Sequence, residues 1–302
     1  MGEVVVVDIR RYLERALYQV RKDLHLPDSD QRWFNDHHLD ILAGRAGSSL
    51  LYAATVVRFI RSDLSSAKAQ LETLIEQKPS EASPYAVLDA VYLEIVRRFL
   101  GNPPSAPNSV RPYYTEVVGS MLFLRDLLTV KTIAELTMLD TDDMITTLWP
   151  LQPLQSIITQ INNVESSVLF YHASFYDFAT SDRCLAPVLP FSPKEREAYV
   201  AERCLVTMTR TLRENTADIQ ASTADVSTMP GLARRIPSEV VYAARFWGSH
   251  LRGSTRIEDR DGLMWLTLRR ATRSTAFISA CNNTIFGKWD QKGLQSIFET
   301  LF

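Results

Sequence analysis

The residue patterns that most directly indicate nucleotide, metal or hydrolase chemistry are missing from this sequence. A phosphate-binding loop, GxxxxGK[ST], needs glycine amides that wrap the phosphates and a lysine that reaches them. The one Gly-Lys pair, Gly287-Lys288, is followed by Trp289, and no glycine stands five residues before it. GxGxxG, HExxH and GxSxG are also absent. The chain therefore encodes no catalytic site of these types, and we do not expect it to be an enzyme by itself.

Two isolated features could still do chemistry. His37 and His38 are adjacent, which on a helix places their rings about 100° apart rather than on one metal ion. We interpret them as a solvated surface pair. Cys204 lies on an apolar stripe, which favours a packed thiol over a nucleophile. It is one of three cysteines, with Cys184 and Cys281, and their spacing predicts neither a disulfide framework nor a zinc site.

Charge and hydropathy limit the partners and the compartment. The chain has 33 basic and 35 acidic residues, and the net charge of −2 gives no general attraction to nucleic acid or anionic membranes. No stretch of roughly 18 residues is both uncharged and predominantly apolar, as a membrane span would be. The four valines near the N-terminus are too few for the apolar region of a signal peptide. We expect a cytoplasmic protein that binds neither membrane nor nucleic acid.

The residues that precede a proline-rich stretch read as a helical domain, 1–100. Apolar spacing predicts helices near 9–23, 29–43, 48–60, 63–77 and 84–99, the first of them with Asp8 as N-cap. The helix at 48–60 is apolar nearly all round, so we expect it to form the core. The stretch GNPPSAPNSVRP, 101–112, has four prolines and should end the domain.

The next segment, 113–185, has the outline of a winged-helix domain with a short β-hairpin. It predicts three helices, one with Thr129 as N-cap, and then two apolar runs rich in β-branched and aromatic residues around Asn162-Asn163. Between Arg111 and Arg183 there are four basic and nine acidic residues, a local charge of −5. Such a surface should repel DNA, so a DNA-binding winged helix is a weak alternative.

The third predicted domain, 192–302, is helical again. A long amphipathic helix should run from Ser192 to about Asn215, and another from about 237 to 251 carries Tyr242, Phe246 and Trp247. Further helices are predicted near 261–280 and 291–301. The predicted fold class is thus mainly α, in three parts.

Several long segments resemble the helical and winged-helix half of fungal NACHT proteins, which are signal-transducing NTPases of the STAND class. RAGSSLLYAATVVRFI resembles the helix that follows the family's nucleotide-binding core, and VLFYHASFYDFATSDRC resembles part of its winged helix. The matching segments keep the family's order and span about 8–251. They are 45–60, 83–96, 117–154, 168–184, 198–215 and 236–251.

The resemblance implies a regulatory lid rather than a catalytic core. In the family, these domains fold over ADP and hold the protein inactive, and exchange for ATP opens it. The phosphate-binding loop would lie before Met1, so this chain alone is expected to bind no cofactor. The H-x-[ST]-F-x-[DE]-[FY] motif, in which the family's histidine reaches the β-phosphate of ADP, is met here by His172. The competing interpretation of His172 is that it caps a helix.

One departure from the family concerns adenine. Related receptors have a Gly-x-Pro turn that stacks on the base, whereas this chain reads Gly47-Ser48-Ser49. We expect function through protein partners. The alternative is a helical scaffold that has lost nucleotide switching, which an exposed aromatic patch at Tyr242, Phe246 and Trp247 would support. A hydrolase of another type is the last alternative.

Overall fold

The computed structural model describes residues 2–25, 33–77, 85–100, 110–157, 163–170, 172–184, 190–211 and 236–254. Over these residues the chain is mainly helical, as predicted. The helices are α1 (Gly2–Asp23), α2 (Asp36–Ala46), α3 (Leu50–Arg61), α4 (Ala67–Glu76), α5 (Ala86–Leu100), α6 (Val110–Met121), α7 (Val130–Thr137), α8 (Thr141–Leu148), α9 (Ala173–Ala179), α10 (Pro193–Thr211) and α11 (Ser238–Gly253).

Short elements complete the described residues. Single 3-10 segments cover Leu64–Ser66 and Trp149–Leu154. Two strands, β1 (Gln155–Ile157) and β2 (Val168–Phe170), form a two-stranded sheet. The turn predicted at Asn162-Asn163 is described only from Asn163 onward. The helices predicted near 261–280 and 291–301 lie outside the described residues, as does Cys281.

The chain divides into two compact units. Unit 1 comprises Met1–Val110, Thr146–Ile157 and Phe170–Pro190, and unit 2 comprises Arg111–Ile145, Ile158–Leu169 and Phe191–Phe302. The three predicted domains, 1–100, 113–185 and 192–302, remain predictions.

Unit 1 is built around α3, as its apolar sequence predicts. The buried side chains of α3 are 0–5% exposed, and the helix packs against α1, α2, α4 and α5. The buried residues of α3 are Tyr52, Ala53, Thr55, Val56, Val57, Phe59 and Ile60. A helix with apolar residues on nearly every face can bury them only if other helices pack against it on several sides.

The start of α1 differs from the prediction. Asp8 lies inside the helix, which begins at Gly2, so its predicted role as N-cap is wrong. The valines that precede Asp8 are helical, because their β-branched side chains reduce helix propensity only slightly. The predicted apolar stripe is confirmed, since Leu13, Leu17 and Val20 are fully buried.

The proline-rich boundary is shorter than predicted. Residues 101–109 lie outside the described residues, but α6 begins at Val110, before the predicted end of the break. Pro112 lies in the first turn of α6, where a missing backbone N–H removes no intrahelical hydrogen bond.

Unit 2 is centred on the long contact between α10 and α11, both of which also pack against α7. The apolar stripe of α10 is buried at Cys204, Leu205 and Met208, which confirms the predicted place of Cys204 on such a stripe. Thr129 caps α7 as predicted, because its hydroxyl accepts a hydrogen bond of 3.1 Å from Thr132 N. An antiparallel bridge joins Thr129 to Ser167.

Candidate functional site

His172, the candidate from the family motif, occupies the N-cap position of α9 in unit 1. Its backbone is extended, with φ −153° and ψ 144°, and its side chain accepts from Ser174 N at 3.1 Å. The Ser174 hydroxyl lies 2.9 Å from the same ring nitrogen, Nδ1. Both contacts hold the imidazole at the surface, where the residue is exposed. The cap that the sequence offered as a competing interpretation is therefore present.

The capping contact determines where the ring proton lies. A backbone N–H can only donate, so Nδ1 of His172 must accept. In the neutral imidazole the proton then sits on Nε2, which becomes a hydrogen-bond donor. An exposed N–H donor can bind an anionic oxygen, such as that of a phosphate. Capping and anion recognition use different nitrogens, and the two roles are compatible.

Ser174 connects this cap to the core of unit 1. Its hydroxyl lies 2.7 Å from the hydroxyl of Tyr92, which is on α5 and 2% exposed. Burial raises the pKa of Tyr92, so its hydroxyl stays protonated and able to donate. The Tyr92 ring packs edge-on against Phe175 at 5.3 Å and tilted against Phe178 at 5.6 Å. This aromatic cluster, in which both phenylalanines are buried, fixes the start of α9.

A second polar contact joins α5 to the segment after α9. Arg183 Nη1 donates to both carboxylate oxygens of Asp89, at 2.8 and 3.0 Å. Burial raises the pKa of the Asp89 carboxyl, and the Arg183 charge acts against that rise. The Arg183 guanidinium also lies 5.0 Å from the ring centre of Tyr85. With its charge paired to Asp89, Arg183 has a structural role in this unit.

Cysteine chemistry is not supported at either described thiol. Cys184 is buried, and burial, with a contribution from the Asp89 charge, raises its pKa to about 11. Cys204 is fully buried, and burial raises its pKa further. Both thiols are protonated at neutral pH, whereas a nucleophile must be a thiolate. The interpretation of Cys204 as a packed thiol is confirmed.

The turn at Gly47-Ser48-Ser49 has a structural role. Gly47 has φ +53° and ψ −111°, a conformation that favours glycine, and it ends α2. Ser49 begins α3 by accepting from Tyr52 N at 3.2 Å. Nearby, Arg45 donates to Ile75 O at 2.9 Å and to other carbonyls at the end of α4.

The remaining sequence candidates give mixed results. His37 is exposed and His38 half-buried, where burial lowers the pKa of His38. In unit 2, Tyr242 and Trp247 are 2% and 1% exposed and Phe246 is half-buried, so the three do not form the exposed aromatic patch that would support a scaffold. Within the described ranges, no group of three or more His, Cys, Asp and Glu side chains could hold a metal ion. Among the described helices, none has the length and apolar character needed to cross a bilayer.

Sequence reasoning missed a polar cluster in unit 2, in which His250 and Tyr242 are buried, Glu197 is half-buried and Arg125 is exposed. His250, on α11, bonds Glu197 of α10 at 2.6 Å and Tyr242 at 2.8 Å. Arg125, in the turn between α6 and α7, contacts both Tyr242 and Glu197. The only local signal is that Tyr242 and His250 lie eight residues apart on one predicted helix. No sequence spacing indicates their partners on other elements.

No family model matches this chain, and no curated protein matches it.

Proposed function

We propose that this chain is the regulatory lid of a NACHT-type signal-transducing NTPase, acting through protein–protein contacts and not by catalysis. The proposal rests on the ordered resemblance of about 8–251. The observation that carries it is the geometry of His172, an exposed imidazole whose Nε2 must be the proton-bearing nitrogen. In the proposed mechanism this donor binds a phosphate oxygen held by the nucleotide-binding core of a partner domain.

We also propose that 113–185 form the winged helix of this lid. Three helices, α6 to α8, come first, and β1 and β2 follow them. The residue before α7, Thr129, forms its antiparallel bridge with Ser167, directly before β2. This order of three helices and a small sheet supports the proposal. The local charge of −5 supports a protein partner rather than DNA.

His172 would bias the switch through one differential contact. If the contact with phosphate exists only in the closed state, it stabilises that state and shifts the equilibrium toward it. Tyr92 and Ser174 act as positioning residues, because they hold the ring nitrogen that does not contact the ligand. The nucleotide itself needs a cradle of backbone amides, which the proposal assigns to the partner core.

Calorimetry with ADP on the purified chain tests the non-catalytic part of the proposal. A single exposed imidazole donor contributes about 1.5–3 kcal/mol to binding, far less than the roughly 8 kcal/mol of a micromolar complex. We therefore expect no binding tighter than about millimolar. Micromolar affinity, or turnover of ATP by the pure chain, would contradict the proposal.

The lid itself is tested with a nucleotide-binding core. Sequencing the transcript upstream of the Met1 codon should find an in-frame GxxxxGK[ST], and the longer protein then serves for binding measurements. His172→Ala and His172→Asn should both weaken ADP binding, by about tenfold for the loss of one charge-assisted hydrogen bond. His37→Ala is the matched control, since His37 is also exposed, and should have no effect.

Asparagine separates the two roles of His172, because its side chain can cap a helix as well as histidine does or better. If His172 only caps α9, His172→Asn will bind ADP like the wild type. That result would favour the alternative, a helical scaffold without nucleotide switching.

A further inference from the structure

The polar cluster in unit 2 forms a closed ring of hydrogen bonds. Arg125 N donates to the Tyr242 hydroxyl at 3.1 Å, and that hydroxyl lies 2.8 Å from His250 Nε2. His250 Nδ1 lies 2.6 Å from Glu197 Oε2, and Glu197 Oε1 accepts from Arg125 Nη2 at 2.7 Å. The ring joins α10, α11 and the α6–α7 turn, residues 122–129. None of these atoms belongs to the site proposed around His172.

Counting donors and acceptors shows that every polar group of this hydrogen-bonded ring is paired only when the imidazole is neutral. Arg125 N–H can only donate, so the Tyr242 oxygen accepts from it, and its own proton is available for His250 Nε2. His250 Nδ1–H then donates to Glu197, which is an acceptor when ionised. A second proton on His250 would put N–H on Nε2, facing the Tyr242 O–H. That hydroxyl would lose its acceptor inside the core, where a donor without a hydrogen bond destabilises the folded state.

The surroundings of the imidazole act in the same direction. His250 is fully buried, and burial lowers its pKa, although the Glu197 carboxylate opposes this effect. The Arg125 charge also lowers the pKa of His250, and Arg125 pairs with the same carboxylate. On the side of Tyr242, the neighbouring titratable group is the buried Cys204 thiol of α10. Burial raises the pKa of both Tyr242 and Cys204, so neither supplies a charge at neutral pH.

The packing leaves little room for this ring of hydrogen bonds to rearrange. A Cβ atom on Gly253 would lie 2.8 Å from Glu197 Cδ, which shows how closely the end of α11 approaches α10. Tyr242 is 2% exposed, so its hydroxyl cannot turn to solvent without movement of α11. Protonation therefore leaves the Tyr242 hydroxyl proton without an acceptor at the contact between these elements, which weakens that contact.

We propose that His250 is an acid-sensitive switch that holds α11 against α10 and the α6–α7 turn while its imidazole is neutral, and releases α11 when it gains a proton. The inference goes beyond the lid function and is independent of it. A histidine whose pKa is lower in the folded than in the open state favours the folded state at neutral pH. That contribution decreases as the pH falls below about 6.5, the ordinary histidine pKa.

Hydrogen exchange followed by mass spectrometry measures this release directly on the full chain. Amide exchange in α10 and α11 is compared at about pH 7.5 and about pH 5.5, either side of the ordinary histidine pKa, after correction for the intrinsic rates. We expect the opening constant of α11 to rise by up to about tenfold across this window, the limit for one proton with an ordinary histidine pKa in the open state. The reference is α3 in unit 1, which should show no such rise.

Three variants make the test specific. His250→Gln retains a donor and an acceptor but cannot titrate, so the acid-dependent opening of α11 should disappear. Tyr242→Phe removes the hydroxyl that favours the neutral imidazole of His250, so the opening of α11 should depend less steeply on pH. The matched control is His37→Gln, which removes an exposed histidine and should leave α11 like the wild type.

Two results would overturn the proposal. One is equal protection of α11 at both pH values in the wild type. The other is the same acid-dependent opening in His250→Gln as in the wild type. If His250→Gln does not fold, NMR titration of the wild-type imidazole decides the question. Protonation of His250 without loss of α11 protection would refute the switch, and protonation together with that loss would support it.

Discussion

His172 and His250 are both bonded through Nδ1, with opposite consequences. At His172 the nitrogen accepts from a backbone N–H, so Nε2 carries the proton and the exposed ring is a donor. At His250 the nitrogen faces the Glu197 carboxylate, so Nε2 is left to accept from Tyr242 in a fully buried position. The residue type is the same, and the bonded partner decides which chemistry it can perform.

The capping role of His172 predicts a stability difference between two substitutions. His172→Ala removes the acceptor for Ser174 N and should lower the free energy of unfolding by about 1 kcal/mol, the typical value of an N-cap. His172→Asn should retain most of that stability. Urea denaturation followed by circular dichroism measures both. Equal stability of the alanine and asparagine variants would show that the cap contributes nothing.

At the scale of elements, the two glycines of the α2–α3 region have different roles. Gly44 lies inside α2, and a Cβ there would meet nothing within 4 Å. Gly47 ends the helix with a positive φ, which strains any side-chain-bearing residue even though the surrounding space is open. Their environments are equally open, so backbone conformation alone separates them.

This pair gives a prediction with an internal control. Gly44→Ala should raise the free energy of unfolding by about 0.5–1 kcal/mol, because alanine favours the helix. Gly47→Ala should lower it by about 1–2 kcal/mol, because the backbone must adopt a disfavoured conformation. Thermal or urea denaturation gives both values. A stabilising Gly47→Ala would mean that the turn can rearrange at no cost.

For the whole molecule, the two described cysteines report on the two units separately. Cys184 is buried in unit 1 and Cys204 in unit 2, and their raised pKa values keep both thiols protonated. A thiol reagent can therefore react with each one only when its own unit opens.

We expect both cysteines to be labelled at least about a hundredfold more slowly in the native chain than in urea, since opening a packed core costs several kcal/mol. Peptide mapping by mass spectrometry assigns the labelled residue. Acidification that accelerates Cys204 alone would agree with the proposed His250 switch once thiolate concentrations are corrected. Fast labelling of either thiol in the native state would contradict the buried positions.

The sequence by itself determined the features that depend on neighbours along the chain. Helical periodicity predicted the apolar stripe of α1 and the burial of α3, and a threonine before an apolar run predicted the cap at Thr129. These signals act over one or two helical turns, so they can be recognised without knowledge of the tertiary structure. The same signals predict the ends of helices less well, as the start of α1 at Gly2 shows.

Tertiary structure decided the contacts that join distant positions. Asp89 and Arg183 are 94 residues apart, Glu197 and His250 are 53 apart, and Arg125 and Tyr242 are 117 apart. No local pattern encodes such pairs, because they exist only where packed helices bring their side chains to hydrogen-bond distance. Burial, which lowers the pKa of His250, is likewise a property of the packed chain.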